Sequence, residues 1–203
     1  MTASTTRVYL ETGAKCVFAV ALEWPGWCRR AADADLAVAE LERYRDRYAR
    51  VVGRPFAPGP VEVIGTVPGT GTTDFGAPDA RGPWDEPAPS GAELERQVGL
   101  LDKAWAYFDK VVSEAPEALR KGPRGGGRDR DAIVDHVREA ERVYGRKVGI
   151  RVPPRTPWAE QRTMIADGLL EGPEGTAWPV GYAIRRFAWH ILDHAWEIED
   201  KSS

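Results

Sequence analysis

The segment VGYAIRRFAWHILDHAWEIED, residues 180–200, decides how this chain is read. It carries no proline, and Val180, Ile184, Phe187, Ile191 and Ile198 recur at three-, four- and seven-residue steps, the signature of one apolar helix face. Trp189, Leu192 and Trp196 lie on the opposite face. A helix apolar on two sides is buried on two sides, so this outer stripe is expected to pack on the N-terminal part, on a linker, or on a second subunit or protein partner. His190 and His194 are four residues apart, which places both imidazoles on one side of the helix, one turn apart.

Working back from this helix, three more seams appear. Leu94, Val98, Leu101, Trp105, Phe108 and Val112 step by four and three, and Pro116 stops the run. A second helix is predicted from about Asp129 to Val148, with Ile133, Val137, Ala140 and Tyr144 as its seam. A third is predicted from Pro157, suited to a first turn, to Leu170. Four such seams predict a four-helix bundle over residues 91–203.

The first third of the chain reads differently. Val8 and Leu10, then Val17, Ala19 and Ala21, fall on alternate positions, and Thr12-Gly13-Ala14-Lys15 between them reads as a hairpin turn. Trp24-Pro25-Gly26-Trp27 breaks the second strand. A helix then starts near Asp33 or Asp35, follows Leu36, Ala39, Tyr44, Tyr48 and Val51, and ends at Gly53. Pro60 to Val67 is a further short strand. Residues 1–70 therefore read as a small antiparallel sheet with a packed helix, and the fold class as α+β. Residues 71–90, rich in Gly, Pro, Thr and Asp, read as an irregular linker, with Trp84 a candidate to pin it to a domain surface.

The chain has three histidines. His136, on the second bundle helix, has about the same angular offset from its apolar seam as His190 has on the fourth. All three rings can point into one corner of the bundle. Three neutral imidazoles suit zinc, nickel or iron and leave a coordination position open. A histidine beside an apolar seam also serves as an ordinary hydrogen-bonded core residue, so the pattern alone leaves both readings standing. Glu197, seven residues after His190, and Asp193 and Glu139, each three residues from a histidine, are candidates to orient the ligands. Gly122-Pro123-Arg124-Gly125-Gly126-Gly127-Arg128 reads as a flexible connection, or as an anion site in which Arg124 and Arg128 join backbone amides at a helix start. It lacks the Lys-Ser/Thr ending of a phosphate loop. Cys16 and Cys28 read as reduced thiols.

Composition narrows the function classes. A net charge of -3 over 203 residues gives no whole-chain case for nucleic-acid binding. No run approaches the roughly 18 apolar residues of a membrane span. The polar start, Met1 to Arg7, lacks the apolar stretch of a secretion signal, so a soluble cytoplasmic protein is expected.

With these residues in view, two resemblances stand out. Residues 91–203 resemble the DinB-like (DinB/YfiT) superfamily through Gly125-Gly126-Gly127-Arg128, Ile133-Val134-Asp135-His136 and Trp189-His190-Ile191-Leu192-Asp193-His194-Ala195-Trp196-Glu197. That resemblance implies a four-helix bundle whose divalent metal, often zinc or nickel, is held by His136, His190 and His194. It also implies thiol-dependent S-transfer or isomerisation acting on a small thiol or electrophile. Residues 6–67 resemble a HicB-like antitoxin domain through the strand Val17 to Leu22, the Trp24-Pro25-Gly26-Trp27-Cys28 stretch and the helix from Asp35. That resemblance implies a small antiparallel sheet with helices on one face and a protein partner. Two functions follow: a metal-dependent enzyme, or a binding and regulatory protein whose metal site is structural or vestigial.

Overall fold

The structure is a computed structural model that describes residues 5–54, 56–122 and 126–202. The chain divides between Pro87 and Ala88 into two compact units, and each is taken by itself.

In the first unit, strands β1 (Thr6–Thr12), β2 (Val17–Ala21), β3 (Cys28–Ala31) and β4 (Val61–Pro68) form one sheet in the order β3-β2-β1-β4. β1 pairs antiparallel with β2, and β2 with β3, but β4 runs parallel to β1. The sheet is therefore mixed, which corrects the expectation of a wholly antiparallel one. Antiparallel neighbours can be joined by a tight turn. β4 instead returns to β1 after a long excursion through α1 (Ala34–Arg43) and α2 (Arg45–Val52).

The Trp24–Trp27 stretch does more than break a strand. It is the turn that sends the chain back as β3, closed by Trp27 N–H on the Trp24 carbonyl at 2.9 Å. Trp27 is fully buried, and its indole N–H donates to the Leu41 carbonyl at the end of α1. Tyr48 of α2 stacks on Trp27 and donates to the Pro25 carbonyl. Trp27 and the Pro25 carbonyl of this turn thus fasten both helices to the sheet. Asp33 is the α1 cap, its carboxylate accepting from Leu36 N–H at 2.9 Å. The single helix expected after it is two, parted at Tyr44.

Buried residues Tyr9 and Glu11 share one face of β1. Segment 69–85, expected from residue 71 onward as linker, covers that face and belongs to the first unit. The Trp84 ring lies 4.7 Å from Tyr9. Its seat exists because residue 65 is glycine: a Cβ there would stand 3.1 Å from the ring. The fully buried Glu11 carboxylate accepts from the Thr73 hydroxyl and from the N–H groups of Asp79 and Ala80. A short helix, α3 (Gly71–Phe75), is wound within the segment. An irregular stretch so clasped is part of the fold, because its backbone donors find a buried acceptor.

The second unit holds α4 (Gly91–Glu114), α5 (Arg130–Lys147), α6 (Trp158–Leu170) and α7 (Val180–Ser202). α4 and α5 each pack on α6 and on α7, so sequential helices α4 and α5 occupy opposite corners of a four-helix bundle. The connection between them, residues 115–129, is long enough to cross the bundle end, where Arg120 N–H meets the Lys201 carbonyl at 3.0 Å. The predicted seams are buried except at Val112, Ala140 and Tyr144, which are half-buried. Val111 rather than Val112 faces inward on α4, and α5 buries Glu141 beside a half-buried Ala140. Every residue of α7 from Val180 to Leu192 is buried. Trp189, Leu192 and Trp196 are also buried, as expected of a helix apolar on two sides. Among the described residues no helix is long and apolar enough to cross a membrane.

Glu141 organises the polar heart of the bundle. Its carboxylate is 1% exposed and accepts from the Trp105 and Trp158 indoles, at 2.9 and 2.6 Å, and from the Gln161 amide at 2.9 Å. Arg162 pairs with it at 3.3 Å and with Asp109 at 2.8 Å. Burial pushes the Glu141 carboxyl above the usual range, against the pull of Arg162 and these donors.

Candidate metal centre

α5 and α7 pack on each other, and each carries a stripe of residues at four-residue spacing that includes histidine. On α5 the stripe is His136, Ala140 and Tyr144. On α7 it is Arg186, His190 and His194, followed one turn later by Glu197 and then Lys201. The histidines meet where the stripes face each other. One ligand atom from each of His136, His190 and His194 falls in a group in which all pairs lie within 4.8 Å. Nε2 of His136 and Nε2 of His190 are 3.2 Å apart.

These residues fit a metal ion. Two nitrogens at zinc-bond length in a tetrahedral arrangement stand about 3.3 Å from each other. The His136–His190 pair already has that separation, and a small ring movement closes the remaining distances. His194 presents the correct atom. Its Nδ1 lies 2.7 Å from Glu197 Oε2, and that carboxyl is held at about 2, first by the His194 hydrogen bond and then by Lys201, against its own burial. An ionised carboxylate only accepts, so Nδ1–H is the donor, and in the neutral ring Nε2 is then the atom available to a metal. Among the described residues the cluster contains three histidines and no carboxylate.

The electrostatics favour the neutral form of two of the rings, His136 and His190. His136 is half-buried, and its pKa is lowered, chiefly by burial and then by the charges of His194 and Arg128. His190 is buried, and its pKa is pushed well below the ordinary value, first by burial and then by His194, Arg186, His136 and Arg128. Neutral imidazole is the form that binds metal.

The other sequence candidates divide. Glu197 is hydrogen-bonded to a cluster histidine, and the partner is His194, three residues before it, rather than His190. Glu139 is 67% exposed and leans toward Arg142 at 3.9 Å, so it is not an orienter. Asp193 is half-buried on α7 and does not join the ligand group. Arg128 is exposed, yet its charge acts on both His136 and His190, which places it at the rim of the cluster. Arg124 lies outside the described residues. Cys16 and Cys28 of the first unit form no disulfide, and the Cys16 thiol donates to the Thr73 carbonyl.

Sequence reasoning missed Arg186 and the role of Tyr144. Arg186 precedes His190 by the same four residues that separate the histidine pair, so the spacing rule would have found it. Its guanidinium lies 4.5 Å from the Trp189 ring and 5.1 Å from the Tyr144 ring, and Tyr144 in turn packs 5.5 Å from His190. Comparison of the chain with protein-family models, with curated proteins and with solved structures gives no match.

Proposed function

We propose that the bundle is a divalent-metal-dependent enzyme, with His136, His190 and His194 as ligands to zinc or nickel, acting on a small thiol or electrophile in S-transfer or isomerisation. The observation that carries this reading is the convergence of one nitrogen from each histidine within 4.8 Å, from helices whose histidines are 54 residues apart in sequence. The resemblance of residues 91–203 to the DinB-like superfamily supports the reaction class. A bound divalent ion would supply Lewis acidity, lowering the pKa of a thiol or water so that it attacks at neutral pH.

The chain's own residues supply the rest. Burial disfavours protonation of His136 and His190, which leaves them ready to ligate. Glu197 fixes the His194 tautomer and adds negative charge behind it, while Lys201, 2.5 Å from the other carboxylate oxygen, balances that charge. Arg128 at the rim draws anionic molecules toward the cluster. The alternative, a binding protein with a structural metal, requires a fourth protein ligand to close the site. The three-histidine, carboxylate-free cluster favours the open arrangement.

The test is thiol consumption by the metal-loaded protein across a panel of small electrophiles, comparing wild type with His194→Ala. The expected result is a rate in wild type that the variant loses while its helical content stays native. Equal rates in the two proteins would overturn the proposal.

A further inference from the structure

A buried arginine beside the histidine cluster has no acceptor of its own. Arg186 is 7% exposed, and among the described residues its Nε and Nη1 have no hydrogen-bond partner. Arg162 in the same bundle shows what a structural buried arginine looks like: at 8% exposure it is paired with both Glu141 and Asp109. Arg186 has only ring faces, those of Trp189 and Tyr144. Aromatic faces attract a guanidinium but accept none of its in-plane N–H bonds. A planar fork of donors beside ring faces, with Nε and Nη1 unpaired, is the arrangement that receives a carboxylate.

Its position sets what that carboxylate belongs to. Arg186 lies one turn before His190 on the same side of α7, an axial distance of about 6 Å. Tyr144, one of the rings under the guanidinium, also packs on His190, so the arginine and the ligand share one wall.

We propose that Arg186 is a substrate-binding residue: it takes the carboxylate of a small acid whose reacting end sits at the histidine cluster, one helical turn away. This rests on the reading of the cluster as a metal centre, and it narrows the substrates to small carboxylic acids, as thiols or as electrophiles. The guanidinium does no chemistry. It fixes the anionic end and so aims the other.

The test uses cobalt(II), whose visible spectrum reports ligation, and two thiols that offer the metal the same donor: 3-mercaptopropionate and the uncharged 2-mercaptoethanol. Wild type is expected to bind the acid at least tenfold more tightly. Arg186→Gln should hold the two thiols alike with its cobalt spectrum before thiol unchanged, and circular dichroism should show native helical content. A wild type that binds cobalt but shows no preference, or an Arg186→Gln protein that keeps the preference, overturns the inference and leaves the metal reading intact. A wild type that takes no cobalt overturns the metal reading instead. Propionate titrated into the metal-free protein then decides the anion site alone: binding that Arg186→Gln loses upholds it, and no binding in wild type ends it.

Discussion

Replacing Glu197 asks whether the carboxylate behind His194 holds a metal ligand in place or is only a helix-surface pair. Its Oε2 lies 2.7 Å from His194 Nδ1 and its Oε1 lies 2.5 Å from Lys201 Nζ. A carboxyl brought from 4.5 to about 2 corresponds at face value to about 3 kcal/mol. The side chain is 29% exposed and Lys201 is 25% exposed, so solvent screening leaves about 1–2 kcal/mol of folding stability for the whole constellation. Metal affinity should respond more than stability does. Glu197→Ala removes both the acceptor and the charge, and the zinc dissociation constant should rise about 10–100-fold. Glu197→Gln keeps an oxygen for Nδ1–H but loses the charge, so its rise should be smaller, roughly 3–10-fold. Lys201→Ala leaves the carboxylate to His194 alone and should not weaken zinc. The assay is competition with a chromophoric chelator at neutral pH, run beside urea unfolding of the metal-free proteins. If Glu197→Ala bound zinc within about twofold of wild type while losing the expected stability, the orienting role would be refuted.

Three further outcomes are expected. Glu141→Ala strips two indoles, Gln161 and Arg162 of a shared buried acceptor, and should cost about 3 kcal/mol in chemical denaturation, with Asp109 still holding part of the Arg162 charge. The metal-free protein should lose stability as pH falls below about 6.5, because His190 takes a proton more readily unfolded than buried; the slope attributable to it, up to about 1.4 kcal/mol per pH unit, should vanish in His190→Gln when urea midpoints are compared across pH. Asp33→Ala deletes the α1 cap and should lower stability by about 1 kcal/mol, read from the same urea curves, without changing metal binding.

The bundle was legible because long helices repeat their apolar residues over many turns, and a misplacement such as Val112 for Val111 does not shift the whole seam. The histidine cluster was legible for the same reason: two rings one turn apart, and a third at a matching offset on another helix, are statements about helical periodicity. What escaped depended on partners distant in sequence. β3 is four residues long, and its central Arg29 and Arg30 hide any alternation. The parallel pairing of β4 leaves no mark in either strand, since direction is set by the path between them. Residues 69–85 read as linker because their order comes from Glu11, Tyr9 and their own turn bonds rather than from a hydrophobic repeat. Glu141 was passed over for the adjacent Ala140, because a buried carboxylate makes sense only once two indoles and an arginine from other helices are seen around it. Among the carboxylates near the histidines, spacing alone admitted three, and the side-chain geometry selected Glu197.

The most direct test is retained metal. Wild type and the variants His136→Ala, His190→Ala and His194→Ala are each loaded with excess zinc, desalted and analysed for the element, with circular dichroism as the check on folding. About one ion should stay with each wild-type chain and little with any folded variant, since a tetrahedral site cut to two protein ligands holds zinc poorly. A wild-type protein that comes through desalting without zinc, or variants that keep as much as it does, would contradict the account.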